Sequence, residues 1–447
     1  MLWLLLACTA SDTPTDDPID TTVDTGDSGV VEETVFDEIP DWESFETGVA
    51  TGLAWADLNQ DGFAELVIAY GNDIQKGPLS VYENIGGILD NHTHWESETR
   101  AFYGHIDVGD VNGDGWIDVV ASRFLGNDGF SEPGGVDVYL NYEGILEPTP
   151  SWQSSESFYS FSCALGDVDR DGDLDLAVAV GEPYYNAPSQ SHVYINDGSG
   201  GFGSIAWSTQ NARHSMDVTW ADFDGDGWLD LAFANQGAPH DMYKNTEGTL
   251  SEEPHWEAPG EASDFEGNTV DWGDVDGDGA IDLVVSDNLQ LGGTGVVSLY
   301  CSPTFEPCWQ SMDTPQYQSA VSLEDFDADG DVDLVAGSWW GAVRVYENEG
   351  NALSNEPTWE SDTKSVIEAF GWEDIDRSDT TEESITGEGL VQIPQRARVL
   401  HVEGGVSAGG WATGPGSVTV TYAKSPRRDL AVSNWDREIG NHIYSQK

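Results

Sequence analysis

The sequence predicts an all-β chain folded as a seven-bladed β-propeller, and three recurring features predict it. An Asp-rich nonamer of the form D-x-[D/N]-x-D-G-x-x-[D/E] occurs six times, at 57–65, 110–118, 167–175, 222–230, 274–282 and 325–333. Each nonamer runs straight into an apolar segment, such as Leu66, Val67 and Ile68 or Leu283, Val284 and Val285. A Trp stands before each loop and a short Tyr-ending segment after it, so the whole block returns with a period of about fifty residues.

At the N-terminus a short apolar run, Leu4, Leu5, Leu6 and Ala7, ends at Cys8. It resembles a bacterial lipoprotein signal, with residues 1–8 as the signal and Cys8 as the lipidated residue. Residues 9–35 are rich in Asp, Thr, Ser, Pro and Gly and poor in large apolar groups. Such a segment cannot bury enough surface to offset its ordering entropy, so a disordered acidic linker is expected there. The propeller is expected over 36–447.

Within the repeats the marker tryptophans are Trp42, Trp95, Trp152, Trp207, Trp256, Trp309 and Trp359. The tyrosines are Tyr82, Tyr139, Tyr194, Tyr243, Tyr300, Tyr346 and Tyr444, and five of them are followed at the second position by Asn84, Asn141, Asn196, Asn245 or Asn348. Each repeat thus offers four β-segments: one with the Trp, one leading into the Asp loop, one leaving it, and one with the Tyr. Four short strands per repeat at this period match a propeller blade. Trp42 precedes the first loop and Tyr444 has no Trp after it. The N-terminal strand is therefore expected to complete the last sheet and close the ring, which removes two exposed strand edges.

The seventh loop is interrupted. It begins Asp374, Ile375, Asp376, Arg377, and its expected continuation is Asp429 to Ser433. The insertion, at about 378–427, holds two alternating β-like runs and is expected to project from the last blade as a β-hairpin or small sheet. It carries Arg396, Arg398, Lys424 and Arg427, a large share of the chain's 16 basic residues.

The formal net charge is −66. Nucleic acid and anionic lipid surfaces are excluded as partners, since both require positive charge. Contact with a membrane is expected only through a lipid at Cys8. Cys301 and Cys308 bracket a short loop and are expected to pair as a disulfide in an oxidising compartment. Cys163 is expected to be a buried thiol.

The nonamers have the chemistry of calcium cages. Calcium takes six to eight oxygens at about 2.3–2.6 Å, and a Gly in such a loop permits the sharp bend. Side-chain oxygens come from positions 1, 3, 5 and 9. The expected ligands are Asp57, Asn59, Asp61 and Glu65; Asp110, Asn112, Asp114 and Asp118; Asp167, Asp169, Asp171 and Asp175. The remaining three sets are Asp222, Asp224, Asp226 and Asp230; Asp274, Asp276, Asp278 and Asp282; and Asp325, Asp327, Asp329 and Asp333. Without a cation such groups repel: two like charges about 4 Å apart cost roughly 4 kcal/mol at an effective dielectric near 20. About six Ca²⁺ sites are expected, with a structural role. At tenfold excess over its dissociation constant, each ion adds about 1.4 kcal/mol.

These loops, their strands and their period resemble the FG-GAP family and its bacterial VCBS-type relatives, which include the propeller head of integrin α subunits. The resemblance covers roughly residues 40–447. It implies that the calcium loops lie on one face of the disc, between the first and second strands of each blade. The opposite face then carries Arg100, Phe102, Tyr103, Phe124, Tyr159, Tyr184, Tyr185, Arg213, His214, His240, Trp339, Trp340, Trp435 and Arg437.

No nucleophile–base motif stands out, so the expected function is non-enzymatic: a binding, adhesion or scaffold module for a protein or glycan, at the cell surface or in the envelope. A lectin-like carbohydrate receptor is the alternative, and a polysaccharide-degrading enzyme the third reading.

Overall fold

A computed structural model describes residues 41–373 apart from 72, 74, 185, 291, 313–315, 326, 328 and 363, together with 375, 400–404 and 418–420. The chain divides into a unit of residues 1–33 and a unit of residues 34–447, and all described residues belong to the second. The expected signal at 1–8, with Cys8, and the linker at 9–35 lie outside the described residues.

The described chain is an all-β propeller, with a single 3-10 turn at Ala262–Asp264 as its only helical element among the described residues. Blade 1 orders Ala50–Ala56, Glu65–Gly71, Lys76–Asn84 and Leu89–Glu96 from first to fourth strand. Blade 2 orders Phe102–Gly109, Asp118–Gly126, Gly129–Tyr139 and Trp152–Gln153. Blade 3 uses Ser162–Gly166, Asp175–Ala179, His192–Asn196 and Phe202–Ser208. Blade 4 uses His214–Ala221, Asp230–Gln236, Asp241–Tyr243 and Trp256–Glu257, and blade 5 uses Gly267–Gly273, Asp282–Asp287, Val297–Cys301 and Glu306–Gln310.

The expected count of seven blades is corrected here, because the described strands form six blade sheets. The sixth is eight-stranded. It joins Gln318–Glu324, Asp333–Gly341, Arg344–Tyr346 and Trp359–Glu360 to Ser365–Gly371, Leu400–Gly404, Val418–Val420 and Trp42–Glu43. The fusion has a local cause. Asp333–Gly341 is long enough to serve two neighbours: Leu334, Val335 and Ala336 pair with Arg344–Tyr346, while Trp339 and Gly341 pair with Val366 and Ser365.

The N-terminal strand does complete the C-terminal sheet, with Trp42 opposite Val420 and Glu43 opposite Thr419. Its partner differs from the expected one. Leu400–Gly404 and Val418–Val420, both inside the expected insertion, pair with each other as a hairpin would. They lie within the sheet, between Ser365–Gly371 and Trp42–Glu43, so the projecting hairpin or small sheet is corrected to a pair of strands of the blade sheet itself. Residues 429–433 and Tyr444 lie outside the described residues.

The spacing of the markers follows from the pleat. Trp95, Trp152, Trp207, Trp256, Trp309 and Trp359 pair directly with Val81, Val138, Val193, Met242, Leu299 and Val345, each the residue before the Tyr of the same sheet. Residues directly opposite share a face and successive residues alternate, so each Trp faces away from its own blade's Tyr. It meets the Tyr of the next blade instead. The pairs Trp95–Tyr139, Trp152–Tyr194, Trp207–Tyr243, Trp256–Tyr300 and Trp309–Tyr346 are edge-on, with centroids 5.2–6.2 Å apart. Trp42 on Tyr82, at 5.3 Å, carries this contact across the ring closure.

The core is therefore a series of apolar layers between blades. One holds Val67, Leu79 and Val81 of blade 1 against Ile106, Val119 and Tyr139 of blade 2. Second strands pack on both faces and are largely buried, and Glu65–Gly71 and Asp230–Gln236 are buried throughout. First strands are sheet edges with unpaired N–H groups, and some are capped by an acid of the preceding blade. Leu165, Val270 and Leu323 donate their N–H to Asp107, Asp217 and Asp271 at 2.8–2.9 Å. Close approach of first strands requires Gly104, where an added Cβ would lie 2.1 Å from the Phe161 carbonyl oxygen.

Candidate metal centres

Each Asp nonamer forms the connection between the first and second strands of its sheet. Its backbone folds around its own acids. The position 6 N–H of Gly62, Gly115, Gly172, Gly227 and Gly279 donates to Oδ2 of the position 1 Asp at 2.7–3.2 Å. The position 5 N–H donates to Oδ1 of position 3, as from Asp61 to Asn59, Asp114 to Asn112 and Asp329 to Asp327, at 2.8–3.0 Å. The position 7 N–H donates to Oδ1 of position 5, as from Trp116 to Asp114 and Ala280 to Asp278, at 2.8–2.9 Å.

Asp110 and Asp167 also accept a second N–H on Oδ1, from Asp114 and Asp171. In the first, fourth and fifth loops Oδ1 of Asp57, Asp222 and Asp274 is buried and has no hydrogen-bond partner among the described residues. A buried carboxylate oxygen without a partner is costly. A cation inside the loop removes that cost. The acids are also close enough to share one: ligand atoms of Asp167, Asp169 and Asp175 lie within 4.8 Å of one another. The same holds for Asp222, Asp224 and Asp230; for Asp274, Asp276 and Asp278; and for Asp325, Asp327 and Asp333. Oxygens about 2.3–2.6 Å from one ion are at most about 5 Å apart, so the spacing fits. Asp276 and Asp282 also come close to Cys301, but that sulfur is in a disulfide with Cys308 and has no thiolate to offer.

The first two loops have Asn59 and Asn112 at position 3, where the amide oxygens accept from Asp61 and Asp114. Loops three to six carry Asp there. In the interrupted seventh loop Asp374, Asp376 and Arg377 lie outside the described residues.

Position 9 does more than its spacing implied. Glu65, Asp118, Asp175, Asp230 and Asp282 accept the position 2 N–H at 2.8–3.3 Å. Asp118, Asp175, Asp230 and Asp333 also accept the N–H of Asn141, Asn196, Asn245 and Asn348 at 2.6–2.9 Å. Burial pushes these acids up and the neighbouring loop carboxylates add to it. Glu65, Asp118, Asp175 and Asp230 reach about 7, Asp282 about 6 and Asp333 about 8.

The asparagines after the tyrosines were visible as a recurrence but not as a device. Nδ2 of Asn141 donates to the carbonyls of Leu58 and Ile117, Asn196 to Val111 and Leu174, Asn245 to Val168 and Leu229, and Asn348 to Val275 and Val332. One carbonyl belongs to the blade's own Asp loop and the other to the loop of the preceding blade. Asn84 reaches Ala64 and Ile375 in this way, which ties the first loop to the seventh. Ser302 takes the Asn position in blade 5, and its hydroxyl has no partner among the described residues.

One loop holds a cation of its own. Lys244 places its ammonium against Asp224 and Asp226, positions 3 and 5 of the fourth loop, at 3.2 Å from Asp226.

Several residues expected on the opposite face are structural. Tyr103 is buried and bonded to Tyr139 at 2.6 Å, and Phe102 and Phe124 pack with Leu125. Arg213 is nine-tenths buried between Asp241 and Glu257, and His240 is fully buried. Tyr159 donates to the Phe130 carbonyl and packs at a tilt near Phe124. His214 pairs in its blade's first strand opposite Gln236, and Arg100 pairs with Glu96. Tyr184 is exposed, and Trp339 and Trp340 are half-buried against each other. Tyr185, Trp435 and Arg437 lie outside the described residues. The disulfide between Cys301 and Cys308 is present, and Cys163 is a buried free thiol.

The family model described as FG-GAP-like repeat matches residues 57–121, 179–233 and 222–285. No curated protein matches the chain. Among solved structures, a crystal structure of BBS1N in complex with ARL6DN, soaked with lead, is similar at a TM-score of 0.53 and 14% identity, covering 88% of this chain and 98% of that one. The mercury-soaked crystal of the same complex gives 0.53 and 13%, covering 87% and 98%. At that identity the likeness is one of fold.

Proposed function

We propose, from the premise that this chain is a β-propeller carrying FG-GAP-like repeats, that it is a calcium-stabilised, non-enzymatic binding or scaffold module for a protein or glycan. The observation that carries the metal reading is the buried, unpartnered Oδ1 of Asp222 and Asp274 inside loops whose acids converge; Asp57 Oδ1 in the first loop is buried and unpartnered among the described residues as well. Oxygen-only donors at this spacing suit calcium. Magnesium prefers a stricter octahedron with retained waters, and zinc prefers His and Cys. The ligands are the twenty-four residues at positions 1, 3, 5 and 9 of the six nonamers. The ions neutralise crowded acid and lock the connections between first and second strands. They perform no chemistry on a substrate.

The site of action is outside the cytoplasm. The disulfide between Cys301 and Cys308 supports this, because such bonds persist in oxidising compartments. A lipid at Cys8 remains part of the proposal, and intact-mass measurement of membrane-fraction protein tests it.

The central test is thermal unfolding of the full chain with calcium and with EGTA, together with elemental analysis. About six bound calcium ions per chain and a melting point lowered by 10 °C or more in EGTA are expected. A melting point indifferent to EGTA, with no bound calcium, overturns the reading.

A further inference from the structure

A cavity of about 380 Å³ opens between blades 1 and 2. Lys76 begins the third strand of blade 1, Arg100 lies in the connection between the blades, and Arg123 is in the later half of the second strand of blade 2. Most of the lining comes from strand ends remote from the Asp loops, and Thr149 and Pro150 come from the connection between the third and fourth strands of blade 2. The chain has 82 acidic residues and 16 basic ones. Yet the described residues lining this cavity include Lys76, Arg100 and Arg123 and no Asp or Glu.

Three cations elsewhere are neutralised by acids, while Arg170 lies over the Trp228 ring. Arg213 pairs with Asp241 and Glu257, Lys244 with Asp224 and Asp226, and Arg344 with Glu360. Around the cavity the balance is different. Lys76 is held by neutral groups, the Asn127 Oδ1 at 2.9 Å and the Phe102 ring at 5.3 Å. Arg123 meets Asp137 at 3.5 Å, but Asp137 also accepts from Gln153 Nε2 at 2.8 Å. Arg123 Nε is buried with no hydrogen-bond partner among the described residues. Arg100 meets Glu96 at 3.1 Å with both side chains exposed, where an ion pair contributes little. Three cations thus meet two carboxylates, the buried Asp137 and the exposed Glu96, and neither lines the cavity.

We propose that this cavity binds the carboxylate of a uronic acid unit in an acidic glycan. The assignment rests on the reading of the chain as a binding propeller and names the ligand class for it. Arginine's planar fork matches a carboxylate, and lysine adds a point charge. The neutral lining suits sugar hydroxyls. Asn127 has its oxygen engaged by Lys76, which leaves its amide nitrogen to donate. Gln153 has its nitrogen engaged by Asp137, which leaves its oxygen to accept. Thr99 adds a hydroxyl, and Leu125 supplies a small apolar wall. The volume falls in the range of roughly 300–1,000 Å³ usual for small-ligand sites. A protein of this net charge repels anions at long range, so recognition of one requires such a local excess of cations.

Calorimetric titration of the calcium-loaded full chain tests the proposal. The probes are galacturonate and glucuronate oligomers, with glucose oligomers and sulfate as comparisons. Saturable uronate binding is expected, at least tenfold tighter than sulfate and absent for glucose. Lys76→Gln and Arg123→Gln are each expected to weaken it tenfold or more, with calcium-loaded melting points within a few degrees of the parent. Should Arg123→Gln fail to fold, Lys76→Gln decides. Absent uronate binding, binding unchanged in Lys76→Gln, or sulfate bound as tightly as uronate overturns the assignment. The calcium reading fails separately: a chain that is stable in EGTA sinks that reading, whereas a calcium-dependent propeller that ignores uronates sinks only this one.

Discussion

A single unpartnered oxygen says more about the Asp loops than their acidity does. In five loops Oδ2 of the position 1 Asp accepts a backbone N–H, and in three of them Oδ1 is buried with no hydrogen-bond partner among the described residues. Asp274→Asn keeps the shape and removes the charge. It is expected to reduce bound calcium by one ion and to lower the melting point in calcium by a few degrees, with little effect in EGTA. Lys244 pairs with Asp224 and Asp226, so under the proposed calcium role it would compete with the ion for them. Lys244→Met is therefore expected to tighten the weakest calcium-binding step by about tenfold, roughly 1.4 kcal/mol, in a chelator-competition titration. The position 9 acids give a pH signature. Burial holds them near 6–8 in the metal-free fold. Unfolded, they titrate near 4. Between those values the fold binds protons that the unfolded chain has released, so metal-free stability falls as pH rises from about 4 toward 8. Calcium must displace these protons. The gain in melting point on adding calcium is expected to be larger at pH 8 than at pH 5, and scanning fluorimetry at both values checks it.

At the scale of the element, the third strand is the clamp. Its Tyr fills the layer between blades, and the Asn two residues later bonds to two carbonyls in two different Asp loops. Asn196→Ala would leave the carbonyls of Val111 and Leu174 without that donor. The expected cost is about 1–3 kcal/mol, read from urea unfolding in calcium. The Trp–Tyr contacts act at the same junctions. The strand pattern, the Trp and Tyr markers and the acids of each loop were all legible in the sequence, because they are set by alternation and spacing within one repeat. The role of the asparagines was not, because Asn196 and Val111 are 85 residues apart and meet only when blades stack. The cavity was hidden for the same reason. Arg100 was recognisable as an opposite-face residue, but nothing in the sequence brings Lys76 and Arg123 to it.

At the scale of the molecule, the ring is closed by chain ends: Trp42 pairs with Val420, and Asn84 bonds to the Ile375 carbonyl. Trp42→Ala removes both the edge contact with Tyr82 and a buried side chain, and is expected to cost about 3–5 kcal/mol. Unfolding should lose cooperativity as the open edge frays, which differential calorimetry would show as a calorimetric enthalpy above the van't Hoff value. The sequence by itself determined the all-β class, the repeat, the ring closure by the N-terminal strand and the identity of the acids at each loop. Those properties follow from local period and residue chemistry. Only the tertiary structure decided that Leu400–Gly404 and Val418–Val420 join the sheet and that the last strands fuse into one eight-stranded sheet. It alone also gathered cations into a cavity on an acidic protein. Strand partners across an insertion, and charges brought together from neighbouring blades, are fixed by the packing of distant segments, which no local pattern encodes.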